Sequence, residues 1–513
     1  MRRERVIIVG AGVGGLTSAL LLAHAGCDVT VIDKASAPGG KMRQLDVGDC
    51  PVDAGPTVFT MRHVFDAVFE SVGESLDQHL TLTKANILAR HAWNGASRLD
   101  LFADRARSRD AIGDFAGAVE ARAFDSFSRQ ARAIFDTLDE SFMRASKTSA
   151  LGLSLRIGAR DIRGLFGIRP FDPLWRALGR HFSDPRLLQL FGRYATYAGS
   201  SPFKAPATLM LIAEAEARGV YLVDGGMHQL AVALEQLSKL RGARFRYGEA
   251  CQQIDNAGVT LRSGERIEGD LVVANCDPAA LSAGLLGEGV RRAVKPYPTK
   301  DRALSALVTL YAATTHDFPL VRHNVFFSDD YAAEFADIDA GRLPRNPTVY
   351  VCAQDRGADD NPMPTPRDRL QFIVNAPATG DARSFSAAEI IACQNAALDK
   401  LKTCGLTLTV HDSQVTTPGS FNQLFPATGG ALYGRATHGA MSAFQRPGAR
   451  SRLPWLYLCG GGTHPGAGVP MAALSGIQAA SALLADRAST RRSFRVAMPG
   501  GTSTRSATMG NSA

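Results

Sequence analysis

The residues with the plainest chemistry stand at the N-terminus, in VIIVGAGVGGLTSALLLAHAG, where Gly10, Gly12 and Gly15 form a GxGxxG spacing. Gly10 permits a tight turn, Gly12 lets a pyrophosphate approach the backbone, and Gly15 lets a helix pack closely on a strand. The unpaired N–H groups at the start of that helix favour negative charge. The next apolar run, CDVTVID, ends in Asp33, placed to accept the ribose hydroxyls of an adenosine. Fingerprint, strand, helix and acid together predict dinucleotide binding.

A second glycine cluster stands near the other end of the chain, in LYLCGGGTHPGAGVPMAALSG. An apolar strand, a backbone-exposing turn and an Ala/Leu-rich helix here repeat the first arrangement. Such a return closes the site over the other half of a cofactor, and that half would be a flavin: glycines let backbone lie against a flat ring. Gly461, Thr463, Gly468, Val469 and Pro470 are the cofactor-side candidates, and the helix after Pro470 would aim its positive end at the reduced ring. His464 is a candidate proton acceptor, although a role in supporting the loop or facing the flavin suits it at least as well.

Between these ends, GGKMRQ offers Gly40, Lys41 and Arg43, and VDAGPTVF offers Gly55, Pro56 and Thr57. Both are glycine-bearing turns directly after the acidic strand, so the chain is expected to keep running beside an extended cofactor. Lys41 and Arg43 could meet pyrophosphate or ribose oxygens; for Lys41 the bland alternative is a solvated surface lysine. The Asp224–Gly225–Gly226 turn, the stretch FGRYATYAGSSPFKAP and the loop before Gly434 add Asp224, Tyr197 and Tyr433, each of which could touch a substrate's polar end or line its tunnel; Asp224 and Tyr197 join His464 as catalytic candidates.

The elements that must position these groups predict an α/β chain. A Rossmann-like FAD-binding domain is expected from discontinuous segments 1–74, 215–290 and 450–486. Residues 75–214 read as a largely helical, membrane-facing insertion. Residues 291–449 alternate as a mixed-sheet substrate domain, and 487–513 as a disordered basic tail.

With 513 residues and 45% hydrophobic content, the chain is folded and has two or three domains. Cysteines 27, 50, 251, 276, 352, 393, 404 and 459 are scattered, with no CxxC, which suggests reduced thiols and no metal. No signal peptide or spanning helix is predicted. Part of the +8 charge lies in the tail, where Ala488–Ala513 has four arginines and no acid. The stretch Arg156–Arg193 holds eight arginines against three aspartates, interleaved with apolar residues, and could lie on an anionic membrane face or be a solvated helical face. Nucleic acid is not an expected partner, since no recognition motif accompanies the arginines.

The chain resembles the carotenoid desaturases of bacteria and fungi, related to phytoene desaturases and more distantly to flavin amine oxidases. The matching stretches are VIIVGAGVGGLTSALLLAHAG with Asp33, APGGKMRQ, VDAGPTVFT, YATYAGSSP, VDGGMHQLAVAL and the second glycine cluster, over about residues 4–485. DAGPTVFTMRHVF and GGGTHPGAGVPMAALSG look most like the 1-hydroxycarotenoid 3,4-desaturases (methoxyneurosporene dehydrogenases) of purple bacteria. The family usually has Glu where this chain has Asp33, and either accepts the ribose hydroxyls.

The resemblance implies non-covalent FAD and an acyclic carotenoid substrate carrying a tertiary hydroxyl at C1. The implied reaction removes hydrogen from C3 and C4: hydride from C4 passes to flavin N5, and a proton is lost from C3. The polyene delocalises the charge, so the protein mainly orients substrate and excludes water. A long polyene partitions into the bilayer, so a cytoplasmic protein peripheral to the inner or photosynthetic membrane is expected. Oxygen and a membrane quinone both stay open as electron acceptor, and oligomeric state is unreadable. Rival readings are a phytoene or neurosporene desaturase, an amine oxidase-like flavoenzyme and a non-catalytic carotenoid-binding flavoprotein.

Overall fold

The run RVIIV becomes the central strand of a parallel sheet, Arg5–Val9. In the computed structural model, which describes residues 3–95, 97–158, 171–358 and 367–496, this strand lies between Asp28–Asp33 and Leu271–Ala274. Arg244–Tyr247 and Leu456–Leu458 complete the five-stranded sheet at its edges. Continuous apolar strands of this kind belong to sheets covered on both faces. From Arg5–Val9 the sheet grows to one side through Asp28–Asp33 and to the other through Leu271–Ala274, so a crevice forms beyond the carboxyl ends of the three central strands, where open parallel sheets bind ligands.

The helix Val13–His24 is buried on nearly every side because two other helices cover it, His228–Leu240 and the final helix Val469–Val496. The two glycine-rich ends meet here: a Cβ on Gly476 would stand 2.4 Å from the Gly14 carbonyl oxygen, and Ser18 Oγ donates to the Gly476 carbonyl at 3.1 Å. By length and composition alone, Val469–Ser489 is apolar enough to cross a membrane, but 56% of that window is buried, much of it against Val13–His24. The helix also runs on to Val496, past the boundary expected at 486, while 497–513 of the basic tail lie outside the described residues.

A second, mixed sheet has seven strands, in the order Thr407–Thr416, Ser305–His316, Asp368–Ala376, Val349–Ala353, His323–Phe326, Ile87–Ala92 and Arg98–Phe102. The last two fall within 75–214, expected to be largely helical, and are the part of it that belongs to this sheet. Ile87–Ala92 pairs in parallel with His323–Phe326 and so extends the substrate-side sheet. Helices cover it, among them Ala118–Leu138 and Pro185–Gly192, over a core in which the Phe182 and Phe191 rings stack at 4.7 Å.

The arginine-rich stretch is not a uniform basic face. Residues 159–170, with three of its arginines, lie outside the described residues. Elsewhere Arg156 donates to the Ser141 and Ser146 carbonyls, Arg180 pairs with Asp172, Arg186 pairs with Asp184, and Arg193 is buried. Arg176 and Arg180 reach solvent, and so do large apolar side chains nearby: Leu151, Leu155 and Phe171 are 71%, 66% and 81% exposed.

Candidate functional site

Both glycine stretches open into one cavity of about 1640 Å³. Single small-molecule pockets run to roughly 300–1,000 Å³, so this space suits a cofactor and a large second ligand together. Of the residues expected to bind cofactor, Gly10, Gly12, Asp33, Gly40, Lys41, Arg43, Gly55, Pro56, Thr57, Gly461, Gly468, Val469 and Pro470 line it.

At the sheet end the backbone is shaped by contacts that tolerate no side chain. Gly10 has φ +106°, and a Cβ there would fall 2.7 Å from the Asn275 carbonyl oxygen. Gly15 is not in the cavity wall; a Cβ on it would lie 2.1 Å from the Gly10 carbonyl oxygen, so its role is helix–strand packing. Asn275, at the end of Leu271–Ala274, donates from Nδ2 to the Gly10 carbonyl at 3.1 Å. Its Oδ1 would sit 2.8 Å from a Cβ on Gly460. One amide thus spaces the first glycine turn from the last. Asp33 accepts from the Ala11 and Ala35 N–H groups at 2.7 and 2.8 Å, which aims its carboxylate at the crevice.

Along the wall, Lys41 Nζ donates to the Leu432 carbonyl at 2.5 Å and lies 5.1 Å from the Phe425 ring centre. Burial lowers its pKa, partly offset by Asp277. Lys41 is therefore no surface lysine. Arg43 donates to Thr416 Oγ1 at 3.0 Å and lies over Phe421. The stretch before Thr57 is pinned to the second sheet: Gln354 Nε2 donates to the Asp53 carbonyl and Gln371 Nε2 to the Gly55 carbonyl, both at 2.9 Å. Arg446 donates to the carbonyls of Gly461, Tyr433 and Arg435 at 2.8, 2.9 and 2.5 Å, and burial pushes its pKa down to about 10. That guanidinium ties the second glycine loop to the Tyr433–Arg435 stretch.

Beyond these stretches the cavity continues between apolar residues, among them Leu153, Ile157, Ile212 and Phe444, and reaches the exposed Phe171. A polar group interrupts this wall. Tyr197 receives a hydrogen bond from Arg193 Nη2 at 3.1 Å, Tyr194 donates to Glu216 Oε2 at 2.6 Å, and Thr57 Oγ1 lies 2.7 Å from the Tyr350 hydroxyl. Burial, reinforced by Glu216 and offset in part by Arg193, raises the Tyr197 pKa, so the phenol is neutral at physiological pH.

Two expected catalytic residues are elsewhere. His464 is buried outside the cavity wall; its Nε2 bonds the Ala145 carbonyl at 3.0 Å and its ring stands edge-on to Phe142. Burial lowers its pKa, which makes it a neutral brace between two loops. Asp224 is exposed at its turn and outside the cavity; the buried carboxylate there is Asp53, which accepts from the Met227 N–H at 2.5 Å. Thr463 also lies behind the wall, donating to the Gly460 carbonyl at 2.7 Å. Sequence reading missed Asn275, Arg193, Glu216, Tyr350 and Arg446. Only Asn275 carried a local signal, the loop that follows the buried strand LVVA.

The flavin containing amine oxidoreductase family matches residues 13–484. Hydroxyneurosporene desaturase of Rubrivivax gelatinosus is 53% identical, over 100% of this chain and 99% of that protein. Hydroxyneurosporene desaturase of Cereibacter sphaeroides is 46% identical, over 95% and 99%. The 1-hydroxycarotenoid 3,4-desaturase of a Flavobacterium is 29% identical, over 92% and 97%. Among solved structures, putrescine oxidase bound to putrescine aligns with a TM-score of 0.57 at 14% identity, over 94% of this chain and 99% of that one, a likeness of fold.

Proposed function

We propose that this chain, which belongs to the flavin-containing amine oxidoreductases and among them to the carotenoid desaturases, introduces the C3–C4 double bond into acyclic 1-hydroxycarotenoids. The observation that carries this reading is the single cavity in which a glycine-lined cofactor groove runs into a long apolar wall. The names of the relatives add the hydroxylated substrate.

FAD is the cofactor, and the crevice fits it: Gly10 and Gly12 keep the first turn close against Asn275, and a Cβ on Gly461 would meet no protein atom and would stand in the open cavity a ring system needs. In this reading Gly10, Gly12, Asp33, Gly40, Lys41 and Arg43 hold its nucleotide and pyrophosphate, and Gly55–Thr57 with Gly461 and Gly468–Pro470 hold its ring. Bound FAD supplies a two-electron acceptor for the hydride lost from C4, with the C3 proton leaving separately. The chain's own contribution is to align the polyene and keep water away from a charge that the conjugated chain spreads. Tyr197 is the candidate we retain for contact with the reacting end, since it lines the cavity and His464 and Asp224 do not.

A polyene must reach the cavity from a bilayer. The exposed Leu151 and Leu155, one helical turn apart on Ala150–Gly158, and Phe171 at the cavity mouth form the surface we assign to membrane contact.

The test is anaerobic: FAD-loaded protein with liposomes carrying 1-hydroxyneurosporene, following flavin absorbance and extracted pigment. Flavin bleaching matched by a product two hydrogens lighter, with one more conjugated double bond, supports the reading. Bleaching by phytoene alone moves the chain to the phytoene-using branch. No bleaching with either pigment removes the desaturase reading.

A further inference from the structure

We infer that Arg193, Tyr197 and Glu216, together with Thr57 and Tyr350, form the binding site for the C1 hydroxyl of the substrate and set the preference for hydroxylated over unhydroxylated polyenes. This rests on the 1-hydroxycarotenoid reading above.

All five residues line the cavity. A hydrocarbon offers nothing to a guanidinium or a carboxylate, and burying either without a partner is costly. Yet Arg193 and Glu216 are only 6% and 4% exposed. Arg193 spends one donor on Tyr197, and its Nε is a buried donor with no partner in the protein. Glu216 is an acceptor already oriented by Tyr194. A tertiary alcohol is the one group on the proposed substrate that both accepts and donates, so it can take an N–H from Arg193 and give its own proton to a carboxylate or phenol oxygen.

Position supports the same assignment. C1 lies only two bonds from C3, so whatever binds its hydroxyl must stand beside the reacting carbons and not at a remote end of the tunnel. The cluster meets that demand through Thr57, which belongs to the expected ring-binding stretch Gly55–Pro56–Thr57. The Tyr350 hydroxyl lies 2.7 Å from Thr57 Oγ1 and 2.7 Å from His323 Nδ1, which fixes the phenol in place. Tyr350 is close enough to Tyr197 and Arg193 for both to act on its ionisation. Burial disfavours the Arg193 charge, and the Glu216 carboxylate works against that and favours the protonated guanidinium. The anchor and the site of hydrogen removal are thereby one fused structure. A methyl ether at C1 would keep the acceptor and lose the donor, so it should bind more weakly than the alcohol.

The experiment compares kcat/KM for 1-hydroxyneurosporene and for neurosporene in liposomes, using full-length FAD-loaded enzyme and the variants Arg193→Met, Arg193→Lys and Tyr350→Phe, with bound FAD measured for each. A site built around a hydroxyl rejects the analogue lacking it by large factors, so the wild-type ratio should favour the alcohol strongly. Arg193→Met should collapse that ratio on the order of 100-fold, Tyr350→Phe by about 10-fold, and Arg193→Lys should restore part of it. If Arg193→Met sheds FAD, Tyr350→Phe, which removes one oxygen, gives the deciding ratio. Variants that lose activity equally on both substrates show a structural cluster and overturn the assignment. Wild-type enzyme that turns over neurosporene but no 1-hydroxycarotenoid overturns the functional reading itself, and the assignment with it.

Discussion

The side-chain amide of Asn275 donates to the carbonyl of Gly10 at 3.1 Å across 265 residues of sequence. The other end of that amide faces Gly460, which has φ +103° and no space for a side chain. Asn275 therefore holds the first glycine turn and the last at a set separation, and the width of the cofactor crevice depends on it. Asn275→Leu should weaken FAD binding by about 10- to 100-fold and cost about 1 kcal/mol, because it leaves the half-buried Gly10 carbonyl without this donor. Equilibrium dialysis against FAD and urea denaturation of the apoprotein check the two effects separately.

Gly460→Ala should abolish stable flavin binding in a protein that otherwise folds. Its Cβ would meet Asn275 Oδ1 at 2.8 Å, and the positive φ is costly for any other residue. The measurement is the flavin-to-protein absorbance ratio after purification, beside far-UV circular dichroism. A normal ratio would show that the loop can shift without loss.

His464→Gln should lower turnover by less than about 10-fold and reduce stability by about 1 kcal/mol, the worth of one hydrogen bond to the Ala145 carbonyl. Tyr197→Phe should lower kcat/KM for the hydroxylated substrate far more than for the hydrocarbon, at a stability cost of about 1–3 kcal/mol, because Arg193 loses the acceptor of its Nη2 hydrogen bond. A loss of 1,000-fold or more in His464→Gln would return that residue to the chemistry.

Acid should destabilise the fold through its buried histidines. Burial lowers the pKa of His91 and His323 to about 3 and of His438 to about 4, all from 6.5. The unfolded chain takes up these protons below 6.5 and the folded chain does not, so stability is present above that pH and is lost as pH falls towards 4. Each histidine contributes a slope of up to about 1.4 kcal/mol per pH unit. Glu334 works the other way: burial raises its pKa from 4.5 to about 7, so its contribution falls as pH rises through that range. Three groups outweigh one, and the urea midpoint should drop between pH 7 and pH 5. A flat profile would mean that these rings protonate in place.

Leu151→Asp with Leu155→Asp should reduce liposome co-sedimentation and slow turnover of liposome-borne pigment, with a smaller effect on pigment in detergent. Both side chains are more than half exposed and form no part of the packed core. Equal losses in the two media would point to a folding defect instead.

The glycine fingerprint, Asp33, the strand and helix around them, and the second glycine cluster were legible in the chain itself, because turns and alternations are written in residues close in sequence. So was the alternation that builds most of the seven-stranded sheet. Ile87–Ala92 was not, because its membership depends on pairing with His323–Phe326, more than 200 residues away. The same limit governs the site. Neighbouring residues place Tyr197 on a turn, but only the fold sets Arg193, Glu216 and Tyr350 into the same cavity. His464 sits in the most telling motif of the chain, yet Phe142 and Ala145 turn its ring away from the cavity. Local sequence determined that a dinucleotide cofactor binds and where the glycine-rich backbone turns stand. Tertiary packing decided which side chains line the cavity, since that depends on contacts between segments that have no proximity until the chain has folded.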